Sequence, residues 1–177
     1  MEILINNISI LDSGCDAVVN AANSSLMQGG GVCGAIFKAA GSTRLQEACD
    51  KIGGCRTGGA VITPGFKLSK YIIHAVGPIY DDGTHNENVL LESCYKNTMN
   101  LVYENKCESV CFPLISAGIY GYPNKEAFTI ALKAVSDWGN EHNNPNIRVM
   151  FAIPEDHKLS IGFKCAEQLG IVLGEQL

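Results

Sequence analysis

The sequence predicts an α/β domain: a largely parallel sheet with helices on both faces. Six apolar runs of strand length recur along the chain, most of them rich in Val or Ile. Segments with helical spacing fall between them, and strands joined through helices imply crossover connections, hence parallel pairing. Glycines gather where strands should end, at Gly14, Gly29–Gly31, Gly53–Gly54, Gly58–Gly59, Gly118 and Gly121, so few elements are interrupted. A chain of 177 residues is near the common size of one domain and buries roughly two-thirds of its unfolded surface, so a single domain over 1–177 is expected.

Taken in order, Ile3–Ile5 is the first strand candidate and Ala17–Val19 the second, ending at Asn20 and Asn23, which flank two alanines. The loop Gly29-Gly30-Gly31-Val32 then leads into the first turn of a helix. Ala60–Thr63 and Tyr71–Val76 are further strands, and Asn86–Glu104 has helical spacing. Ser109–Leu114 is the fifth strand. The clearest helix runs from Asn124 to Trp138, where Phe128, Ala131, Leu132, Val135 and Trp138 follow the i, i+3, i+4, i+7 pattern. Asn124 reads as its N-cap and Gly139 as its stop. Arg148–Ile153 is the sixth strand, and a helix over His157–Leu169 ends before Gly170, which suits the C′ position.

The formal net charge of −5 disfavours duplex DNA, RNA or an anionic membrane as a bulk electrostatic partner. Eight cysteines are irregularly spaced, several inside apolar runs such as Ser109-Val110-Cys111-Phe112, where a reduced thiol packs as a small hydrophobe. A reducing, cytoplasmic setting is the expectation, supported by the absence of a basic leader or a long apolar span. The histidines, 74, 85, 142 and 157, show no paired spacing, so neither a metal nor another cofactor is expected, and His74 within Tyr71–Val76 reads as a satisfied strand residue.

Two loops carry the chemistry. In Gly29–Val32 the missing side chains let backbone N–H groups approach an anion, and the helix that follows adds partial positive charge, so a phosphate fits. The competing reading is a tight connection needing positive φ. The second loop, Ser116-Ala117-Gly118-Ile119-Tyr120-Gly121-Tyr122-Pro123, has the same strand, loop, helix construction. Two such loops at one sheet edge would grip a diphosphate from both sides, with Tyr120 against a sugar or base and Tyr122 covering a core edge. Asn20 suits a structural turn or cap, and Asn23, nearer the glycines, suits sugar hydroxyls.

These blocks resemble the macrodomain family over essentially the whole chain, and within it the MacroD-type group of ADP-ribosyl and O-acetyl-ADP-ribose hydrolases. The carrying residues are Val18-Val19-Asn20-Ala21-Ala22-Asn23, Leu26, Gly29-Gly30-Gly31-Val32, Gly34-Ala35-Ile36, Thr57-Gly58, Tyr71–Pro78 and Ser116–Pro123. The resemblance implies a three-layer α/β/α sandwich around a mixed, mostly parallel six-stranded sheet, with ADP-ribose in a cleft on its upper edge. It places Asn7 and Ile8 at the adenine, with Phe151 closing that end, and includes Asn20 among the ligand-side residues. It lines the phosphates with Ala22, Gly30, Gly31 and Val32 on one side and with Ser116, Ala117, Gly118, Ile119 and Tyr120 on the other. Asn23 would hold the distal ribose. The implied partners are ADP-ribose, ADP-ribosylated proteins and O-acetyl-ADP-ribose; a monomer is the expected state.

Two departures bear on the chemistry. Asn7-Ile8 stands where such proteins usually present Asp-Ile, so the adenine amine would meet an amide oxygen in place of a carboxylate. Cys33 follows Gly-Gly-Gly-Val where the hydrolytic members usually carry Asp, and Phe37 stands where His is common. A thiol at a helix N-terminus can act as base or nucleophile if ionised; otherwise Cys33 is a packing residue, and catalysis rests on Asn23, the loops and the substrate's own phosphate. The sequence therefore predicts an ester hydrolase with reduced or altered catalysis, the alternative being an ADP-ribose reader.

Overall fold

Strand β2 (Ala17–Ala21) shows how the sheet is covered. Ala17 and Val19 face one core, Val18 and Ala22 the other, and all four are buried, which requires helices on both sides. The computed structural model describes residues 1–175. Its sheet runs in the order β1-β6-β5-β2-β4-β3, with β1 at Glu2–Asn6, β3 at Ala60–Pro64, β4 at Tyr71–Ala75, β5 at Ser109–Phe112 and β6 at Arg148–Ala152. Every pairing is parallel except β3 with β4, so the sheet is mixed and mostly parallel.

Helices α1 (Gly31–Ala40) and α2 (Ser42–Ile52), with a single 3-10 turn at Ile10–Asp12, cover one face through Ile36, Phe37, Leu45 and Ile10. Helices α3 (Glu87–Glu104), α4 (Asn124–Glu141) and α5 (Asp156–Leu169) cover the other, where Tyr95, Phe128, Trp138 and Cys165 pack against Phe112 and Phe151. The result is the three-layer α/β/α sandwich. Among the described residues no helix is long and apolar enough to cross a membrane.

Two helix signals read differently in the structure. Asn124 is the first residue of α4; the N-cap is Pro123, and no side chain caps it. Gly139 does not stop the helix, which continues to Glu141. It is buried because Met1 crosses there: a Cβ on Gly139 would lie 2.4 Å from Met1 Cε. The glycine is a packing position inside a helix, and the local breaker signal yields to tertiary contact. At α5, by contrast, Gly170 does adopt the left-handed C-cap, at φ 68°. Strands β3 and β4 fall where the sequence predicts them, their antiparallel pairing aside, whereas α2 and most of α1 lacked distinct signals, α2 because its buried residues reduce to Leu45 and Cys49.

Candidate functional site

The carboxyl ends of β2, β5 and β6 lie side by side and open into one cavity of about 400 Å3. After β2, the chain supplies Asn23, Gly29–Gly31, Val32 and Cys33 to one wall. After β5, Pro113, Leu114, Ser116, Gly118, Ile119 and Tyr120 form the opposite wall. Ala152, Ile153, Pro154 and Glu155 follow β6 and, with Lys158, close the third side.

The first wall presents free backbone donors. Gly30 is the N-cap of α1, and the first intrahelical bond runs from Gly34 N–H to Gly30 O at 3.1 Å, so the N–H groups of Gly31, Val32 and Cys33 precede the ladder. Gly31 takes φ 56°, a conformation glycine enters without penalty. The loop before it is braced from within. Asn23 Nδ2 donates to Met27 O at 2.9 Å while its Oδ1 accepts from Met27 N–H and Ser25 Oγ, leaving one amide hydrogen for the cavity.

The second wall is built on a strained residue. Ser116 sits at φ 65°, is 6% exposed and has a hydroxyl with no partner. Its carbonyl accepts Tyr122 N–H at 2.8 Å, and Gly118 O accepts Gly121 N–H at 3.0 Å. These bonds fold the loop, while the N–H groups of Gly118, Ile119 and Tyr120 have no acceptor among the described residues. Ile119 is 95% exposed at the rim, and Tyr122 is buried against Tyr80, with ring centroids 4.8 Å apart.

The other predicted site residues lie off the cavity wall. Phe151 is fully buried and stacked on Phe112 at 5.5 Å, because strand alternation turns it, like Val149, toward the α3–α5 layer. Ala152, Ile153 and Pro154 reach the cavity instead. Asn20 is 1% exposed and belongs to the interior: its Nδ2 donates to His74 Nδ1 at 3.1 Å. That bond leaves the proton on Nε2, which donates to Thr63 Oγ1 at 3.0 Å, and Thr63 in turn donates to Pro64 O. Burial pushes the His74 pKa down to about 4. Asn20 Oδ1 is left without a partner, and the nearby ring at Phe37, 6.3 Å from the His74 ring, offers no donor.

Ala22 is buried beneath the first loop, Ile8 packs partly against the α1/α2 core, and Ala117 packs against the opposite one. Asn7 is exposed beside the β6 end, where its Nδ2 reaches Ile153 O and Pro154 O at 3.1 Å and Asp156 Oδ1 at 3.2 Å. This fixes the amide with its Oδ1 unused among the described residues.

Cys33 lines the cavity in the first turn of α1, half-buried, its Sγ over Gly29. Among the described residues Glu155 is the one carboxylate lining the cavity, on the β6 side, where it pairs with Lys158 at 3.3 Å. Sequence reasoning placed only Phe151 at the β6 end and missed Ala152, Ile153, Pro154, Glu155 and Lys158, which the adjacency of β5 and β6 brings to the cavity. Exposed Asp81, Asp82 and His85 form a cluster with metal-compatible spacing among the described residues, but outside this cavity.

The cavity thus combines two sets of unpaired backbone N–H groups facing each other, an amide at one end and an apolar wall at the other. That arrangement suits an extended, doubly phosphorylated ligand with a sugar and a flat apolar group. The Macro domain family model matches residues 19–131. An O-acetyl-ADP-ribose deacetylase of Escherichia fergusonii is 50% identical over 135 residues, covering 73% of this chain and 76% of the relative. Human ADP-ribose glycohydrolase MACROD2 is 48% identical over 142 residues, covering 78% of this chain and 33% of the human protein. The Oceanobacillus iheyensis macrodomain, solved with ADP, superposes with a TM-score of 0.87 at 38% identity, covering 93% of this chain and 90% of that one. By fold, site and sequence together, the chain belongs to the macro domain family.

Proposed function

We propose that the chain binds ADP-ribose in this cavity and hydrolyses ADP-ribosyl esters, namely mono-ADP-ribosylated Glu or Asp on proteins and O-acetyl-ADP-ribose. The observation that carries the reading is the pair of facing loops whose N–H groups at residues 31–33 and 118–120 lack protein acceptors. The diphosphate lies between them, neutralised by backbone dipoles and the α1 N-terminus. The adenosine end rests against Ile153 and Pro154 with Asn7 at its edge, and the distal ribose reaches Asn23. Relatives named for ADP-ribose and O-acetyl-ADP-ribose hydrolysis support the same assignment.

In hydrolysis, a base takes a proton from water as the water oxygen adds to the ester carbonyl, and returns it to the ribose oxygen as the acyl C–O bond breaks. A positioned carboxylate base contributes about a hundred- to ten-thousand-fold. Cys33 stands on the same wall as Asn23 and the lining carboxylate, Glu155, is on the β6 side, so in our reading a phosphate oxygen of the substrate itself serves as the base. Turnover is therefore slow. The same observation favours the second reading, a module that binds ADP-ribose without turning it over. The setting we assign is cytoplasmic and monomeric, consistent with eight free cysteines, and nucleic acid is disfavoured by the charge of −5.

Release of label from protein mono-ADP-ribosylated on Glu or Asp tests the reading. We expect slow release above buffer, unchanged in Cys33→Ala and at least about tenfold faster in Cys33→Asp. Retained ADP-ribose binding with no release establishes the reader instead, and loss of release in Cys33→Ala assigns the thiol a chemical role.

A further inference from the structure

Tyr120 separates the cavity from a second groove of about 520 Å3, lined by Ser24, Thr57, Gly77, Ile79, Asp81 and His85 among others. The two spaces share Tyr120, and Ser24 follows Asn23 directly, so the groove begins where a group on the distal ribose leaves the cavity. Ser116 lies in the partition. A Cβ on Gly77 would sit 2.2 Å from Ser116 Oγ, so this buried, unpartnered hydroxyl occupies the space the glycine leaves open, between one wall and the other.

The far side of the groove is fixed in place. Glu87 is 2% exposed, and its carboxylate accepts N–H groups from Asp81, Gly83 and His85 at 2.8–3.4 Å. These hydrogen bonds hold that carboxylate below the ordinary range despite its desolvation, so it is ionised at neutral pH. Tyr80 N–H donates to Tyr120 O at 2.8 Å, tying the same loop to the partition. Among the described residues no Lys or Arg lines the groove; its acidic side chains are Asp81 and Glu87, and the imidazole of His85 lies 3.0 Å from Asp82, 3.7 Å from Asp81 and 3.9 Å from Glu87. Ile79, 68% exposed, offers apolar contact beside them.

The geometry points to an acceptor subsite: the groove holds the polypeptide segment around the modified residue and favours segments with Lys or Arg beside it. This rests on the ADP-ribosyl ester reading of the cavity. An acetyl group fills almost none of the groove, so O-acetyl-ADP-ribose is an internal control that bypasses it. Charge complementarity at an exposed rim acts on encounter and affinity, so the preference falls on KM, not kcat, and weakens with salt.

The test uses two peptides mono-ADP-ribosylated on the same Glu, one flanked by Lys and Arg and the other by Asp and Glu. Hydrolysis and Kd are measured for both, and for O-acetyl-ADP-ribose and ADP-ribose as controls. Wild-type protein should prefer the basic peptide about three- to tenfold in KM and Kd at low salt. Asp81→Lys should abolish or reverse that preference and leave both controls within about twofold, since rim charges act locally. The Asp81 side chain is 77% exposed and accepts no hydrogen bond among the described residues, its ionic contact being the exposed His85 imidazole at 3.7 Å, so the substitution leaves the packed fold intact. Equal KM and Kd for the two peptides on wild-type protein, or a preference unchanged by Asp81→Lys or by salt, overturns the subsite. If nothing is turned over while ADP-ribose binds, the hydrolase reading fails alone, and the peptide Kd ratio still decides the groove.

Discussion

His74 is the residue whose chemistry most constrains the layer beneath the cavity. It has no exposed surface, sits at the register partner of Asn20 and links that residue to Thr63 on the antiparallel strand. Burial lowers its pKa from 6.5 to about 4, so the fold holds it neutral while the unfolded chain takes up a proton. The stability this neutral pairing provides is complete above pH 6.5, declines as pH falls toward 4, and is fully lost below it. The loss should be on the order of 3 kcal/mol. Urea unfolding across that window should show it, and His74→Gln, less stable at neutral pH, should show a flatter slope; parallel slopes would remove His74 as the source. The sequence showed this residue as a satisfied strand histidine, because an apolar run around one imidazole implies burial. It did not show that Asn20 is the partner, since that depends on β2 and β4 being neighbours.

Among elements, the turn entering α1 is the one on which the proposed phosphate site depends most directly. Gly34 lies within the helix, and a Cβ there would come 2.6 Å from Gly29 O, a backbone atom that must move. Alanine gains about 1 kcal/mol in helix propensity over glycine, which opposes the strain of displacing the loop. Gly34→Ala should therefore leave Tm within a few degrees while ADP-ribose affinity falls at least about tenfold, because the N–H groups at 31–33 no longer converge on one phosphate. Calorimetric titration beside thermal unfolding separates the two effects, and unchanged affinity would show that the Gly29–Gly31 backbone does not touch ligand. Strand positions and the two glycine loops were legible because apolar runs and glycine clusters act locally. The continuation of α4 through Gly139 was not, since Met1 makes that contact from the other end of the chain.

At the scale of the whole molecule, the cavity sits where both layers meet. Its first wall runs into α1 on one face of the sheet, while the second runs into α4 and the third into α5 on the other face. A ligand spanning the walls contacts loops anchored in both cores, so it binds the folded chain as a unit and not the unfolded one. Linkage then gives about 2.7 kcal/mol of added stability at a free ligand concentration of 100 Kd. For a domain of this size that corresponds to a rise in Tm of roughly 5–10 °C. Thermal unfolding with ADP-ribose should show that rise growing with the logarithm of concentration, and Gly34→Ala should require proportionately more ligand for the same shift. Ligand seated on a loop that opens independently of the cores would bind more weakly as temperature rises, and the shift at the same ligand concentration would fall well short of that range. The braces on the two walls, Asn23 to Met27 and Ser116 to Tyr122, favour the coupled outcome, because each loop is held closed by bonds that do not involve ligand.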